Sequence, residues 1–292
     1  MREGTIVEGR GGLYTVRDGA GTDYVLRAKK KFRRQNLTPL VGDRVCFLPG
    51  SLEEHGWLEE ILPRTFQGLR PPVANVSLLV VVLAPEPAPD LLLADKLLVT
   101  AFGQGITPLI AVNKQELDAG LAPRLRVAYA PAGVPVLAVS AATGEGLEAL
   151  SQALSGHLSC FAGQSGAGKS TLISRLTGRE LVSGAISPRI RRGRQTTRHI
   201  TLIEERGLRV LDTPGFSLLE TPDDLEPQQL ARHYPEFEAY LGQCRFDPCL
   251  HDREPGCAVA EAVSRGALDA GRVERYRELL AQTKEKWSTR YD

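Results

Sequence analysis

The stretch Gly163-Gln-Ser-Gly-Ala-Gly-Lys-Ser170 decides the fold. It fits G-x-x-x-x-G-K-[ST] at every fixed position, with an apolar run, Leu158 to Ala162, before it and Thr171-Leu-Ile-Ser-Arg-Leu176 after it. A strand that passes through a glycine-rich turn into a helix aims several backbone N–H groups and the helix N-terminus at one point, which suits a polyphosphate. Gly163, Gly166 and Gly168 let the chain wrap the anion closely, and Gln164, Ser165 and Ala167 fill the positions between them. Lys169 is expected to reach the β- and γ-phosphates and the Ser170 hydroxyl to ligate Mg²⁺, with Thr171 beside them in the first helical turn.

Downstream, Asp212-Thr-Pro-Gly215 closes the apolar segment Leu208 to Leu211. A carboxylate there holds magnesium, directly or through water, and the Gly215 N–H approaches the γ-phosphate. Between the two motifs, Ser183 to Gly193 has no clear period, which predicts a mobile loop, and it leads into Arg194-Gln-Thr-Thr-Arg198. A threonine that ligates Mg²⁺ and senses the γ-phosphate belongs in such a loop. Thr196 and Thr197 are the candidates, with Thr197 placed in the magnesium set beside Ser170 and Asp212.

Upstream, Asn113-Lys-Gln-Glu116 follows the apolar run Leu109 to Val112, and Ser140-Ala-Ala142 follows Val134 to Val139. Both resemble the guanine-reading elements of translation-factor-type GTPases, N-K-x-D and S-A loops at the ends of neighbouring strands. The resemblance implies that Asn113 orients loop and base, Lys114 packs along the ring, and the Ala141 N–H meets the base's O6. The fourth residue, here Glu116 in place of aspartate, accepts from N1–H and the exocyclic amine and reaches one methylene further. These motifs precede the phosphate motifs, so the order is circularly permuted. A parallel sheet tolerates that, because old termini can be joined and new ones opened at the surface.

The apolar runs Val76 to Ala84, Leu109 to Val112, Val134 to Val139 and Leu158 to Ala162 alternate with helical stretches near Asp90 to Phe102, Glu116 to Ala130 and Gly146 to Leu154. That alternation is the signature of a mainly parallel sheet built from βαβ units. Before it, Thr5 to Val7, Leu13 to Val16, Tyr24 to Leu26 and the unit Val41 to Leu48 are short strands between glycines, and Trp57 to Ile61 closes them into a small barrel. After it, a Pro- and Asp-rich passage leads to a cysteine cluster and a helix over Arg272 to Lys286, with Val273, Tyr276 and Leu280 on one face. The expected domains are residues 1–66, a barrel; 67–220, the P-loop domain; and 221–292, a mainly helical module.

Cys244-x₄-Cys249-x-His251-x₅-Cys257 gathers three thiols and an imidazole within fourteen residues. Zn²⁺ accepts such a set in a closed tetrahedral, structural site, and Asp247, Pro248, Pro255 and Gly256 supply its turns. An odd total of five cysteines, three of them clustered, favours a metal in a reducing compartment over a disulfide framework. Cys46 and Cys160 are read as core residues and His233 as an ordinary surface or helix residue. The longest apolar run is too short for a bilayer, and no leader for secretion is evident, so a cytoplasmic, monomeric protein away from membranes is expected. The formal charge of +1 does not mark the whole chain for nucleic acid. Local clusters do: Arg27-Ala-Lys-Lys-Lys-Phe-Arg-Arg34 carries six cations in eight residues on an expected loop, and Arg189, Arg191, Arg192, Arg194 and Arg198 form a second strip.

With the rotated order, the Gly163 to Ser170 loop, Gly193-Arg-Gln-Thr-Thr197 and the Cys244 to Cys257 cluster, nearly the whole chain resembles the ribosome small-subunit-dependent GTPase A family, RsgA. The resemblance implies an oligonucleotide-binding (OB-type) barrel, a permuted GTPase domain and a zinc domain. It also implies late maturation of the small ribosomal subunit through its rRNA, hydrolysis of GTP to GDP, and stimulation by the subunit. Where the family loop usually has a histidine suspected of assisting water, this chain has Gln195. Phe216 stands where Ras-like enzymes place a water-orienting glutamine, and an apolar ring cannot orient water. Gln195 is therefore one candidate for that task and a ribosomal group the other. Two competing functions are an RNA-binding assembly factor that uses GTP as a switch with little turnover, and an enzyme of RNA chemistry, for which no second catalytic constellation is present.

Overall fold

The structure, a computed structural model, describes residues 1–50, 55–69, 72–181, 200–212 and 225–289. It divides into two compact units, one of Met1–Leu78, Ser151–Phe161 and Ser170–Phe216, the other of Leu79–Leu150, Ala162–Lys169 and Ser217–Asp292.

The first unit opens with β1 (Arg2–Arg10), β2 (Leu13–Asp18), β3 (Asp23–Ala28), α1 (Lys30–Arg34), β4 (Arg44–Leu48) and β5 (Gly56–Ile61). Alternation sends Ile6, Val16, Leu26, Val45, Phe47 and Leu58 fully inward, and in β3 it leaves Val25 and Arg27, the neighbours of Leu26, exposed. β1 pairs with β2 and β4, β2 with β3, and β5 with β3 and β4, which closes the barrel. The basic segment expected as a loop contains α1, because Phe32 in its middle is buried in the barrel and fixes one turn of helix. Buried Asp43 accepts from the Leu40 N–H and from two nitrogens of Arg64, each at 2.7 Å, and so fastens the chain leaving the barrel. A short hairpin, β6 (Gln67–Leu69) and β7 (Pro72–Ala74), follows.

The second unit begins with β8 (Leu78–Leu83), α2 (Leu91–Gly103), β9 (Thr107–Val112), α3 (Leu121–Tyr129), β10 (Val136–Ala138) and α4 (Leu147–Leu154), whose strands lie in the order β10-β9-β8. All six residues of β8 are buried, which is why its sequence is a continuous apolar run. Asp90 caps α2 through the Leu93 N–H at 2.8 Å. α3 starts at Leu121 rather than Glu116, because Asp118 accepts from the Gly120 N–H and holds a turn ahead of the helix.

β11 (Leu158–Ala162), α5 (Lys169–Thr177), β12 (Thr201–Glu205) and β13 (Leu208–Asp212) come next. β13 runs parallel to β11 and antiparallel to β12, and β12 meets the barrel where Thr201 faces Glu8 of β1. Within the first unit, β11, β13, β12 and the barrel strands therefore form one continuous sheet.

The last part of the second unit holds two 3₁₀ segments, Pro227–His233 and Pro235–Tyr240, then α6 (Ala258–Ser264) and α7 (Ala270–Ser288). The rings of Tyr234, Phe237 and Tyr276 interlock with centroids 4.9 to 5.1 Å apart and give this part a core of its own. In the same unit, fully buried Asp95 of α2 accepts from Arg272 and Arg275 of α7 and from the Tyr129 hydroxyl, each at 2.6 Å. Arg272 also bonds Glu236 and lies 4.7 Å from the ring centres of Tyr129 and Tyr234. Among the described residues, no helix is long and apolar enough to cross a membrane.

Candidate nucleotide site and metal centre

The loop after β11 takes its shape from its neighbours in the second unit. Gly163 has φ +129°, and a Cβ there would sit 2.3 Å from the Val82 carbonyl oxygen; at Gly168, φ +91°, it would sit 2.3 Å from Asn113 Nδ2. Only glycine fits either place. Asn113 is buried just past β9; its Nδ2 donates to the Ala167 carbonyl at 2.9 Å, and its Oδ1 accepts from the Ala141 N–H at 3.0 Å. One carboxamide thus joins the phosphate loop to the Ser140 loop. Ser140, fully buried, accepts on Oγ from the Thr143 N–H at 3.0 Å and holds that turn closed. The Ala141 N–H is thus already engaged by Asn113.

Lys114 takes a left-handed φ of +58° and donates from Nζ to the carbonyls of Glu86 at 2.7 Å and Gly166 at 2.9 Å. Its stem is thereby laid toward the phosphate loop. Glu116 is exposed, whereas the next carboxylate, Asp118, is engaged by the Gly120 N–H and by Arg124 at 2.9 Å. Ser165, Gly166 and Ala142 are exposed along the same loops.

Sequence reasoning missed the turn after β8. Gln164 donates to the carbonyls of Pro87 at 3.1 Å and Ala88 at 2.8 Å and accepts from the Asp90 N–H at 2.5 Å. The prolines of Pro85-Glu-Pro-Ala-Pro89 were the signal that could have found it, marking a rigid turn at the end of the neighbouring strand. Lys169 donates to the carbonyls of Gly163 and Gln164, both at 2.8 Å, and burial pulls its ammonium below the usual lysine range.

In the first unit, Ser170 and Thr171 lie in the opening turn of α5, and Asp212 ends β13. The parallel register of β11 and β13 brings Asp212 to the carboxyl end of the strands, where α/β sheets bind ligands. Burial raises the Asp212 carboxyl above its ordinary range, with Arg179 opposing that shift, and a divalent cation would offset the cost of charging it. Gln195, Thr196, Thr197, Gly215 and the arginines of the strip from Arg189 to Arg198 lie outside the described residues.

The ligand atoms of Cys244, Cys249, His251 and Cys257 lie within 4.8 Å of one another. His251 Nδ1 is 3.5 Å from both Cys244 Sγ and Cys257 Sγ. Backbone N–H groups of His251 and Ala258 donate to Cys249 Sγ at 3.4 Å and Cys244 Sγ at 3.3 Å, the outer hydrogen bonds a thiolate set needs. Burial pushes the Cys249 thiol up to about 12, so a cation is what makes a thiolate there affordable. The Cys₃His donor set fits one zinc ion. Of the other candidates, Cys46 and Cys160 are buried core residues, and His233 ends a 3₁₀ segment against Gly103.

A family model described as RsgA GTPase matches residues 61–222, and one described as the RsgA N-terminal domain matches residues 3–57. The small ribosomal subunit biogenesis GTPase RsgA of Ruminiclostridium cellulolyticum is 43% identical over 291 residues, which cover 98% of this chain and 95% of that protein. The protein of that name from Caldanaerobacter subterraneus subsp. tengcongensis is 40% identical, with 99% and 98% covered. Among solved structures, YjeQ from Thermotoga maritima is 33% identical with a TM-score of 0.82 over 97% of this chain and 98% of that one. YloQ, described as a circularly permuted GTPase, is 32% identical with a TM-score of 0.80 over 98% and 96%.

Proposed function

We propose, from the premise that this chain belongs to the RsgA GTPase family, that it hydrolyses GTP to GDP and phosphate while bound to the small ribosomal subunit and assists that subunit's late maturation. The single observation that carries the nucleotide part is Asn113, whose one side chain fastens the Ser140 loop to the phosphate loop. The base lies between the Asn113 and Ser140 loops, with Lys114 along its ring and Glu116 on its Watson–Crick edge. The triphosphate lies on the amides of Gly163 to Ser170 and on Lys169. Ser170, Asp212 and Thr197 would hold Mg²⁺, which would neutralise charge on the triphosphate.

Water attacks the γ-phosphorus in line with the leaving oxygen. Lys169 and the loop amides stabilise charge on the transferring group, and the Gly215 N–H meets a γ-oxygen. Gln195 holds the water through its amide, unless the ribosome supplies that group. Cys244, Cys249, His251 and Cys257 hold one structural zinc. The chain works as a cytoplasmic monomer of three domains, residues 1–66, 67–220 and 221–292, and meets rRNA through the barrel and the switch arginines.

Competition of GTP, ATP and XTP on the purified chain, with turnover followed as small subunits are added, tests this. GTP preference and faster turnover with subunits are expected. Equal affinity for ATP, or turnover indifferent to subunits, would refute it.

A further inference from the structure

Phosphate binding asks little of the side chain at Gln164, because a loop of this kind holds its anion with backbone amides. The carboxamide is nevertheless engaged at both ends. Nε2 donates to the carbonyls of Pro87 at 3.1 Å and Ala88 at 2.8 Å, and Oε1 accepts from the Asp90 N–H at 2.5 Å. The turn that receives it, Pro85-Glu-Pro-Ala-Pro-Asp90, has proline at every second position. Proline has no N–H, so the turn lacks half of the donors with which it could hold its own carbonyls, and its shape falls to partners from outside.

Those partners come from the phosphate loop and the Asn113 loop. Lys114 donates from Nζ to the Glu86 carbonyl at 2.7 Å and to the Gly166 carbonyl at 2.9 Å. Three consecutive carbonyls of the turn, at Glu86, Pro87 and Ala88, are therefore held by Lys114 and Gln164 together. The turn also bears directly on the phosphate loop, since a Cβ at Gly166 would lie 3.2 Å from Pro87 Cδ. Glu86 and Pro87 are covalent neighbours, so a shift at Pro87 moves the carbonyl on which the Lys114 ammonium is seated. The left-handed φ of +58° at Lys114 persists in such a residue only where its surroundings hold it, and these two acceptors do so.

We propose that Gln164 is a positioning residue for the purine: without touching the nucleotide, its side chain fixes the Glu86 to Ala88 turn, and the turn aims the stem of Lys114 along the ring. The proposal deepens the function above and rests on its nucleotide part. Its effect falls on binding of the base. Lys169, which serves the phosphates, is held by the backbone carbonyls of Gly163 and Gln164, and a change of side chain at Gln164 leaves those in place.

The test measures affinity for a fluorescent GDP analogue, and KM and kcat for GTP, in the intact chain. Gln164→Ala should weaken GDP binding and raise KM about tenfold, with kcat changed less than about twofold. Gln164→Met keeps the length and packing of the side chain without its hydrogen bonds, and should fall with Gln164→Ala. Native affinity in Gln164→Met would reduce the side chain to a filler and overturn the proposal. A double-mutant cycle with Lys114→Met separates positioning of the lysine from mere support of Asp90, which caps α2. Lys114→Met keeps an apolar stem for the ring but removes the ammonium, so adding Gln164→Ala to it should cost less than about twofold more. The same loss in both backgrounds overturns the proposal, as does a fall in kcat at unchanged KM. If Gln164→Ala lowers the thermal midpoint into the range of the assay, Gln164→Met takes its place in the cycle and bears the same expectations. An unaltered chain that binds ATP as tightly as GTP defeats the nucleotide reading itself, whatever the variants do.

Discussion

Gly168 and Asn113 illustrate how little freedom the phosphate loop has. A methyl at Gly168 meets both a left-handed φ and the Asn113 carboxamide at 2.3 Å, so Gly168→Ala should weaken guanine nucleotide binding about tenfold or more, measured with a fluorescent GDP analogue. Asn113→Ala removes the partners of the Ala167 carbonyl and the Ala141 N–H; each buried group left unmatched costs about 1–3 kcal/mol. Thermal midpoint and nucleotide affinity should fall together, and loss of only one would show that the two loops are fastened some other way. The residues themselves were legible, because G-x-x-x-x-G-K-[ST] and Asn-Lys are local patterns. Their mutual bond was not, since Asn113 and Ala167 meet only when distant strands pair. Gln164 teaches the same point: it was legible as loop filler, and only the fold shows it clasping the Pro87 turn.

Among the elements, α2 joins the two ends of the second unit. Its first turn is bonded to Gln164 through the Asp90 N–H, and one turn further on Asp95 sits buried between Arg272 and Arg275 of α7. Removing one partner of a buried ion pair strands the others, so Asp95→Ala should destabilise by about 3–5 kcal/mol in denaturant unfolding. A loss below about 1 kcal/mol would mean that water replaces the carboxylate. Cys249→Ser should abolish zinc retention, read by metal analysis, and lower protection of α6 and α7 in amide exchange while leaving GDP binding nearly intact. At the start of α3, Arg124 first and then the Gly120 N–H hold the Asp118 carboxyl below its ordinary range. Its contribution is therefore full above the usual aspartate value and is lost as pH falls through the lowered one. Asp118→Asn should erase that acid-side loss of exchange protection in α3. Most strands and helices were legible from their periods, whereas β6, β7 and β12 were not. α1 and the late start of α3 were not, because a buried ring and a side-chain cap decided them against the charge run and the periodicity.

At the scale of the whole molecule, α2 carries the C-terminal part of the second unit through Asp95. Neutralising Arg189, Arg191, Arg192, Arg194 and Arg198 together should reduce stimulation of hydrolysis by small subunits and leave the unstimulated rate nearly unchanged. Equal stimulation of both chains would remove the switch arginines from the coupling. The sequence alone determined the GTPase family, the permutation and the Cys₃His cluster that could hold zinc, since each is a short pattern whose residues carry their meaning wherever the chain takes them. Only the tertiary structure decided that one asparagine ties the Gly163 to Ser170 loop to the Ser140 loop, that a buried aspartate fastens the C-terminal module to α2, and that Arg27 and Trp57 stand side by side on the barrel. Those facts depend on strand register and side-chain direction between segments far apart in the chain, which no local pattern encodes.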